Sequence, residues 1–208
     1  MGQLFRIHPD NPQPRLLKQA ATILQQGGVI VYPTDTTYGL GCGLMNRAGV
    51  ERIIRLRQLA PNHLFSVLCP NLAEISRLAR VDNATYRILK RFLPGPYTFV
   101  LEATREVPKT LLPKRRTIGL RIPDHPICLG LLEEVGEPIL STSLKLPGQE
   151  EILCDAEEIH ERIGHLVELV IHGGILSGVP STVVDLSGDG PEILRVGAGD
   201  PSCFTSGA

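Results

Sequence analysis

Short apolar, β-branched runs alternate along the chain with stretches in which apolar residues recur every three or four positions. Leu16, Leu17, Ala20, Ile23 and Leu24 share one helical face and Gly27-Gly28 ends the period, which predicts an amphipathic helix over 14–26. A buried strand, Val29–Tyr32, follows and Pro33 stops it. A second helix is expected over 46–58, capped by Asn46, with Val50, Ile53 and Ile54 inward. Leu64–Cys69 reads as a strand. Asn71 with Glu74 resembles a capping box, and Asp82 caps a helix that ends at Leu93. Pro94-Gly95-Pro96 halts the chain before a strand over 97–102. Strands over Thr117–Ile122 and Pro138–Ser143 flank a helix over 126–134 that closes near Gly136. Asp155 caps a helix to Ile163, and strands over 167–171, 182–186 and 192–196 complete the pattern. The alternation predicts a single α/β domain over 10–199, with a twisted mixed sheet and flanking helices, and a loose tail over 200–208. Several connections are hairpin-like, so the sheet is not expected to be all parallel.

The bulk properties narrow the function. A chain of 208 residues buries a proper core without staples. A net charge of −1 supplies no global attraction to nucleic acid or membrane, so any such binding must come from local patches. No apolar stretch approaches the ~20 residues that span a bilayer, and the N-terminus has no leader-like apolar region. A cytoplasmic location without a membrane partner is the expectation. Five cysteines without Cys-x-x-Cys spacing and six scattered histidines argue against a disulfide framework or a protein-caged metal.

The chemistry concentrates after the first strand. Thr34-Asp35-Thr36-Thr37 is followed by Gly39, Gly41 and Gly43. Hydroxyls and bare backbone at the end of a strand lie where open α/β sheets place ligands, and glycine lets the main chain approach an anion. The same residue types also build ordinary Asx and Ser/Thr turns. The glycines match neither a dinucleotide fingerprint nor a P-loop, and there is no Gly-x-Ser-x-Gly elbow. Cations recur at predicted element ends: Arg57 closes the second helix, Lys145 follows Ser141-Thr142-Ser143, and Arg121 and Arg195 lie within strands. A charge inside a strand of an apolar core is costly unless paired or facing a cavity, which singles out Arg121 and Arg195. Lys114, Arg115 and Arg116 read as a solvated loop. Ser181-Thr182 adds a hydroxyl pair near Asp185. Together these residues suggest a cavity lined by hydroxyls and three or four cations, which suits phosphates, a carboxylate or RNA backbone.

Tyr32-Pro-Thr-Asp-Thr-Thr-Tyr-Gly-Leu-Gly41, Pro94-Gly-Pro-Tyr-Thr98, Thr117-Ile-Gly-Leu-Arg-Ile-Pro-Asp-His-Pro126, Ser141-Thr-Ser143 and Ser181-Thr-Val-Val-Asp185 with Ile193-Leu-Arg195 resemble, in order, the blocks of the YrdC/YciO family, the threonylcarbamoyl-AMP synthase superfamily. Ile7-His-Pro-Asp-Asn and Ile171-His-Gly-Gly-Ile are closest to its YciO branch. The resemblance implies a twisted α/β sheet with a large cationic cavity. It also implies synthesis of L-threonylcarbamoyladenylate from L-threonine, bicarbonate and ATP, for threonylcarbamoyladenosine modification of tRNA. Mg2+ would accompany ATP, bound through phosphates. Thr34, Thr36, Tyr38, Arg121 and Ser141 would serve the small substrate. Arg57, Ser143, Lys145, Ser181, Thr182 and Arg195 would serve nucleotide or RNA. The resemblance implies no covalent nucleophile from the protein. The alternative it carries is a YciO-type protein binding double-stranded RNA or tRNA, with synthase activity weak, lost or altered. A related carbamoylating enzyme acting on another amine is a third reading.

Two departures bear on that choice. The synthases' Lys-x-Arg becomes Arg57-Gln-Leu59, and their Ser-x-Asn becomes Ser143-Leu-Lys145. Arginine and lysine are not equivalent at a phosphate, and leucine donates nothing. One cation is lost and one gained, so Lys145 is expected to reach the phosphate region that the missing arginine would have held.

Overall fold

In a computed structural model of the protein, residues 2–60, 63–112, 116–149 and 151–204 are described. The four residues of β2 (Ile30–Pro33) are all buried, and their alternation divides the core. Val29 and Val31 join one apolar cluster, while Ile30 and Tyr32 join another across the sheet. The second face is covered by α1 (Pro14–Gln25), through Leu17, Ala20, Ala21 and Leu24, and by α5 (Pro126–Val135). The first is covered by α2 (Arg47–Arg57), α3 (Leu72–Leu78), α4 (Asn83–Phe92) and α6 (Ala156–Ile163). Each fully buried leucine in these layers contributes roughly 2 kcal/mol of transfer free energy. Asn46, Asn71, Asp82 and Asp155 all cap helices as expected, each accepting a backbone N–H.

The remaining strands are β1 (Gln3–Arg6), β3 (Tyr38–Gly43), β4 (Ser66–Leu68), β5 (Tyr97–Glu102), β6 (Thr117–Arg121), β7 (Ile139–Ser143), β8 (Leu169–His172), β9 (Thr182–Asp185) and β10 (Glu192–Arg195). They form one ten-stranded mixed sheet in the order β1-β8-β2-β3-β7-β4-β6-β5-β9-β10. The pairs β1/β8, β2/β8, β4/β6 and β5/β9 are parallel, and the others are antiparallel. Among the described residues, no helix is long and apolar enough to cross a membrane.

The structure differs from the sequence expectations in four places. The glycine block is a buried strand, β3, hairpinned to β2, because its missing side chains admit Tyr32. An edge strand, β1, precedes the first helix and has no strong alternation to announce it. Ile54 is 37% exposed, since α2 presents only Gly49, Val50 and Ile53 as buried residues. The start of the expected loose tail is docked: Pro201–Phe204 is a short 3-10 helix, and the Phe204 ring packs tilted against Phe92 and edge-on against Tyr97, with centroids 4.8 and 5.9 Å away. Of the expected loop cations, Lys114 and Arg115 lie outside the described residues and Arg116 is exposed.

Candidate functional site

Helices α1 and α5 cover only part of their face, and the uncovered part becomes a trough. The register explains its depth. Across four neighbouring strands, Gly41 pairs with Ser141, Ser141 with Ser66, and Ser66 with Gly119. No side chain larger than serine stands along that row. The next row, Gly43-Ile139-Leu68-Arg121, is where the packed core ends. Tyr32 is fully buried in the core beside the trough, its hydroxyl 2.7 Å from Ser141 Oγ. A Cβ at Gly39 would come within 3.0 Å of the Tyr32 ring, and one at Gly41 within 2.7 Å of its hydroxyl. Here glycine serves close packing.

The trough holds a cavity of about 300 Å³. Its floor and rim are hydroxylic: Ser66, Thr98, Ser141, Ser143 and Ser181, with Thr34 and Thr37 from the β2–β3 turn. Arg57, Arg121, Lys145 and Arg195 bring positive charge. Among the described residues no carboxylate lines it. An apolar lobe of about 220 Å³ adjoins it, walled by Leu64, Phe65, Val100, Leu111, Val183 and Leu194. The two share Leu64, Ser66, Thr98 and Arg195.

The four cations are not equivalent. Arg121 donates from Nη2 to Asp35 Oδ1, and both side chains are largely buried, so its charge is already compensated. Asp35 Oδ2, Arg121 Nε and the nearby His125 Nδ1 are buried without partners among the described residues. Arg195 donates from Nε and Nη2 to the Ser181 carbonyl, at 3.1 and 2.8 Å, while Ser181 Oγ lies 2.8 Å from Thr98 Oγ1. This fork pins the guanidinium and leaves Nη1 for a ligand. Burial lowers the pKa of Arg195, with Arg121 adding to the effect, and burial alone lowers that of Arg57. Both guanidinium groups remain charged at neutral pH. Arg57 Nε is buried and unpartnered among the described residues, and Lys145 makes no ion pair among them. A cavity with three uncompensated cations and no acid favours a ligand carrying several negative charges.

Of the residues expected from sequence, Thr34, Arg57, Arg121, Ser141, Ser143, Lys145, Ser181 and Arg195 meet in this one cavity. Thr36, Tyr38 and Thr182 do not line it. The Thr36 hydroxyl is spent on Thr34, 3.2 Å away. Tyr38 faces the other cluster and its hydroxyl donates to the Gly174 carbonyl at 2.6 Å. Thr182 donates to the Gly199 carbonyl and accepts from Gly197 N, anchoring the turn after β10. Thr34 itself holds the turn, donating to the Thr37 carbonyl at 2.7 Å. Thr37, Thr98 and Thr142, which the sequence motifs contain without a role, and His63 and Ser66, which lie outside those motifs, also line the cavity. Ser66 and Thr98 were findable as polar positions alternating with apolar ones in strands; His63 carries no local signal.

A family model described as telomere recombination, Sua5–YciO–YrdC, matches residues 22–197. The uncharacterized protein YciO of Escherichia coli K12 is 52% identical over 205 residues, covering 98% of this chain and 100% of that one. The crystal structure of E. coli YciO superposes with a TM-score of 0.94, again over 98% and 100%. The threonylcarbamoyl-AMP synthase of Pseudoalteromonas translucida is 35% identical over 174 residues, 80% of this chain and 90% of that protein. P. abyssi Sua5, solved in complex with L-threonine, is 28% identical with a TM-score of 0.87, covering 93% of this chain and 57% of that one. With the family model spanning most of the chain and relatives matching it at 35% and 52% identity, the chain belongs to the Sua5–YciO–YrdC family.

Proposed function

We propose that this protein binds ATP in the cationic cavity and condenses it with L-threonine and bicarbonate to give L-threonylcarbamoyladenylate and pyrophosphate, in support of tRNA modification. The observation that carries this reading is the cavity in which Arg57, Lys145 and Arg195 have no carboxylate partner among the described residues, beside an apolar lobe of nucleobase size. Kinship with threonylcarbamoyl-AMP synthases supports the reaction class, and the Sua5 complex supports threonine as the amine. The amine attacks the bicarbonate carbon, water leaves, and a carbamate oxygen then attacks the α-phosphorus with loss of pyrophosphate. The residues position the reactants and neutralise developing charge. The lining offers hydroxyls but no carboxylate, and among the described residues no cluster of acids, cysteines or histidines is placed to hold a metal. Mg2+ would therefore be carried by phosphate oxygens and water.

The second reading is a binding role, with RNA phosphates in the same cavity and little turnover. It is favoured by Leu59, which packs against the apolar core and offers no donor. Pyrophosphate release from purified protein, with ATP, threonine and bicarbonate omitted in turn, separates the two. Release that needs all three supports the synthase; none, with labelled RNA still bound, supports the second. Lys145→Ala should weaken ATP binding by about tenfold, the loss of roughly one phosphate contact. Wild-type affinity in that variant would remove Lys145 from the phosphate site.

A further inference from the structure

One lining group of the cavity is able to take up a proton near neutral pH. The others are hydroxyls, guanidinium groups, an ammonium and apolar side chains. That group is His63, between α2 and β4 at the edge of β7. Strand β4 pairs with β7 only as far as Ser141, so the edge at Thr142 and Ser143 is free, and His63 stands there. Its Nε2 is 3.2 Å from Thr142 Oγ1, and its ring meets Phe65 edge-on with centroids 5.1 Å apart. When Nε2 carries the proton, it donates to the Thr142 oxygen and Nδ1 keeps its lone pair. Among the described residues Nδ1 has no hydrogen-bond partner. The Nε2–H bond is the same after Nδ1 is protonated, so the ring need not turn.

We propose that His63 is the catalytic base that takes a proton from the ammonium of the amine substrate and releases the amine for attack on bicarbonate. This rests on the synthase reading. An aliphatic ammonium is protonated at neutral pH and has no lone pair with which to attack. In the balanced step, R–NH3+ and HCO3− with neutral His63 give R–NH–COO−, water and protonated His63. The N–C bond forms and a C–OH bond breaks. One ammonium proton leaves with the hydroxyl as water, and the second goes to Nδ1. The charged groups that line the cavity with it are Arg57 from α2, Arg121 from β6, Lys145 beyond β7 and Arg195 from β10, of which Arg57 acts on the ring; the carboxylate of Asp35 is held by Arg121. Burial first and Arg57 second hold the imidazole below its usual range, which keeps it neutral and lets it shed the proton afterwards.

The experiment compares wild type with His63→Gln, which retains an amide able to reach Thr142. Pyrophosphate release is measured from acid to alkaline pH, ATP binding by calorimetry, and folding by circular dichroism. In wild type the rate should rise to a plateau below pH 6.5. At neutral pH the variant should lose about 100-fold in rate or more while binding ATP within about threefold of wild type. Its residual rate should keep climbing, about tenfold per pH unit, as solvent base takes over. Unchanged rate and profile in a folded variant would overturn the assignment alone. So would a loss of ATP affinity matching the loss of rate, which would make His63 a nucleotide contact. Wild type that binds ATP but releases no pyrophosphate would overturn the synthase reading and the base with it.

Discussion

Asp35→Asn should weaken the fold and tighten anion binding at the same time. The Asp35 carboxylate accepts from Arg121, and the two side chains are 11% and 8% exposed. Asparagine keeps the volume and an acceptor but removes the charge, leaving Arg121 a buried cation against an amide. Breaking a fully buried pair costs about 3–5 kcal/mol. Arg121 borders an open cavity where water takes up part of the charge, so the expected loss is about 2 kcal/mol. For a chain of this size that is a fall in Tm of about 4–8 °C. In the cavity, Arg121 joins Arg57, Lys145 and Arg195 as an uncompensated cation. A unit charge 4 Å from a phosphate is worth about 4 kcal/mol at an effective dielectric constant of about 20. Solvent and the cations already present reduce that to about 1 kcal/mol, or about fivefold tighter binding of ATP or tripolyphosphate. Urea unfolding followed by circular dichroism reads the first effect and calorimetry the second. With Arg121→Met and the double variant, the cycle should give a coupling of about 1.5 kcal/mol. A wild-type urea midpoint with unchanged slope, or weaker anion binding by a folded Asp35→Asn, would refute the reasoning.

Gly41→Ala places a Cβ 2.6 Å from the Leu140 carbonyl oxygen and 2.7 Å from the Tyr32 hydroxyl, so backbone or ring must move. The expected cost is about 1–3 kcal/mol of stability, read from the urea midpoint, together with loss of the Tyr32–Ser141 hydrogen bond. Thermal stability should fall as the pH drops below about 6.5, the usual histidine value, because burial holds His63 and His125 below it. The unfolded chain then binds more protons, and stability present above that pH is lost as it falls through the folded-state values. Melting curves from pH 7.5 to 5.5 should show a smaller decline for His125→Gln, and an equal decline would contradict this.

The sequence displayed the fold better than the site. Period-2 and period-3.6 patterns marked most elements to within a residue or two, and the caps at Asn46, Asp82 and Asp155 were legible because capping is local chemistry. Strand β3 was hidden because Tyr38-Gly-Leu-Gly-Cys-Gly has the composition of a turn, and only the Tyr32 ring across the hairpin explains its glycines. Arg121 and Arg195 were visible as charges in strands, yet only the structure distinguishes the cation already held by Asp35 from the one aimed by Ser181. Thr36, Tyr38 and Thr182 look functional from their neighbours, but the Thr36 hydroxyl meets that of Thr34 and the other two hydroxyls donate to backbone carbonyls. His63 depends on two non-local facts, the short β4 and the free edge of β7.

The row of small residues across the sheet makes the ligand surface a matter of parity. Ser66 and Leu68, Thr98 and Val100, Gly119 and Arg121, and Ser141 and Ser143 are each separated by two; Val67, Phe99 and Leu120 between the first three pairs belong to the opposite core, while Thr142, at the free edge of β7, still reaches the cavity. Inserting or deleting one residue within β4, β6 or β7 would therefore exchange hydroxyls and a guanidinium for leucine, valine and isoleucine, while burying polar groups beneath α2 and α3. The loops at the far ends of these strands bear no such constraint. Length variation in this protein should accordingly be confined to the connections, and loop grafts should be tolerated where a single-residue strand insertion is not.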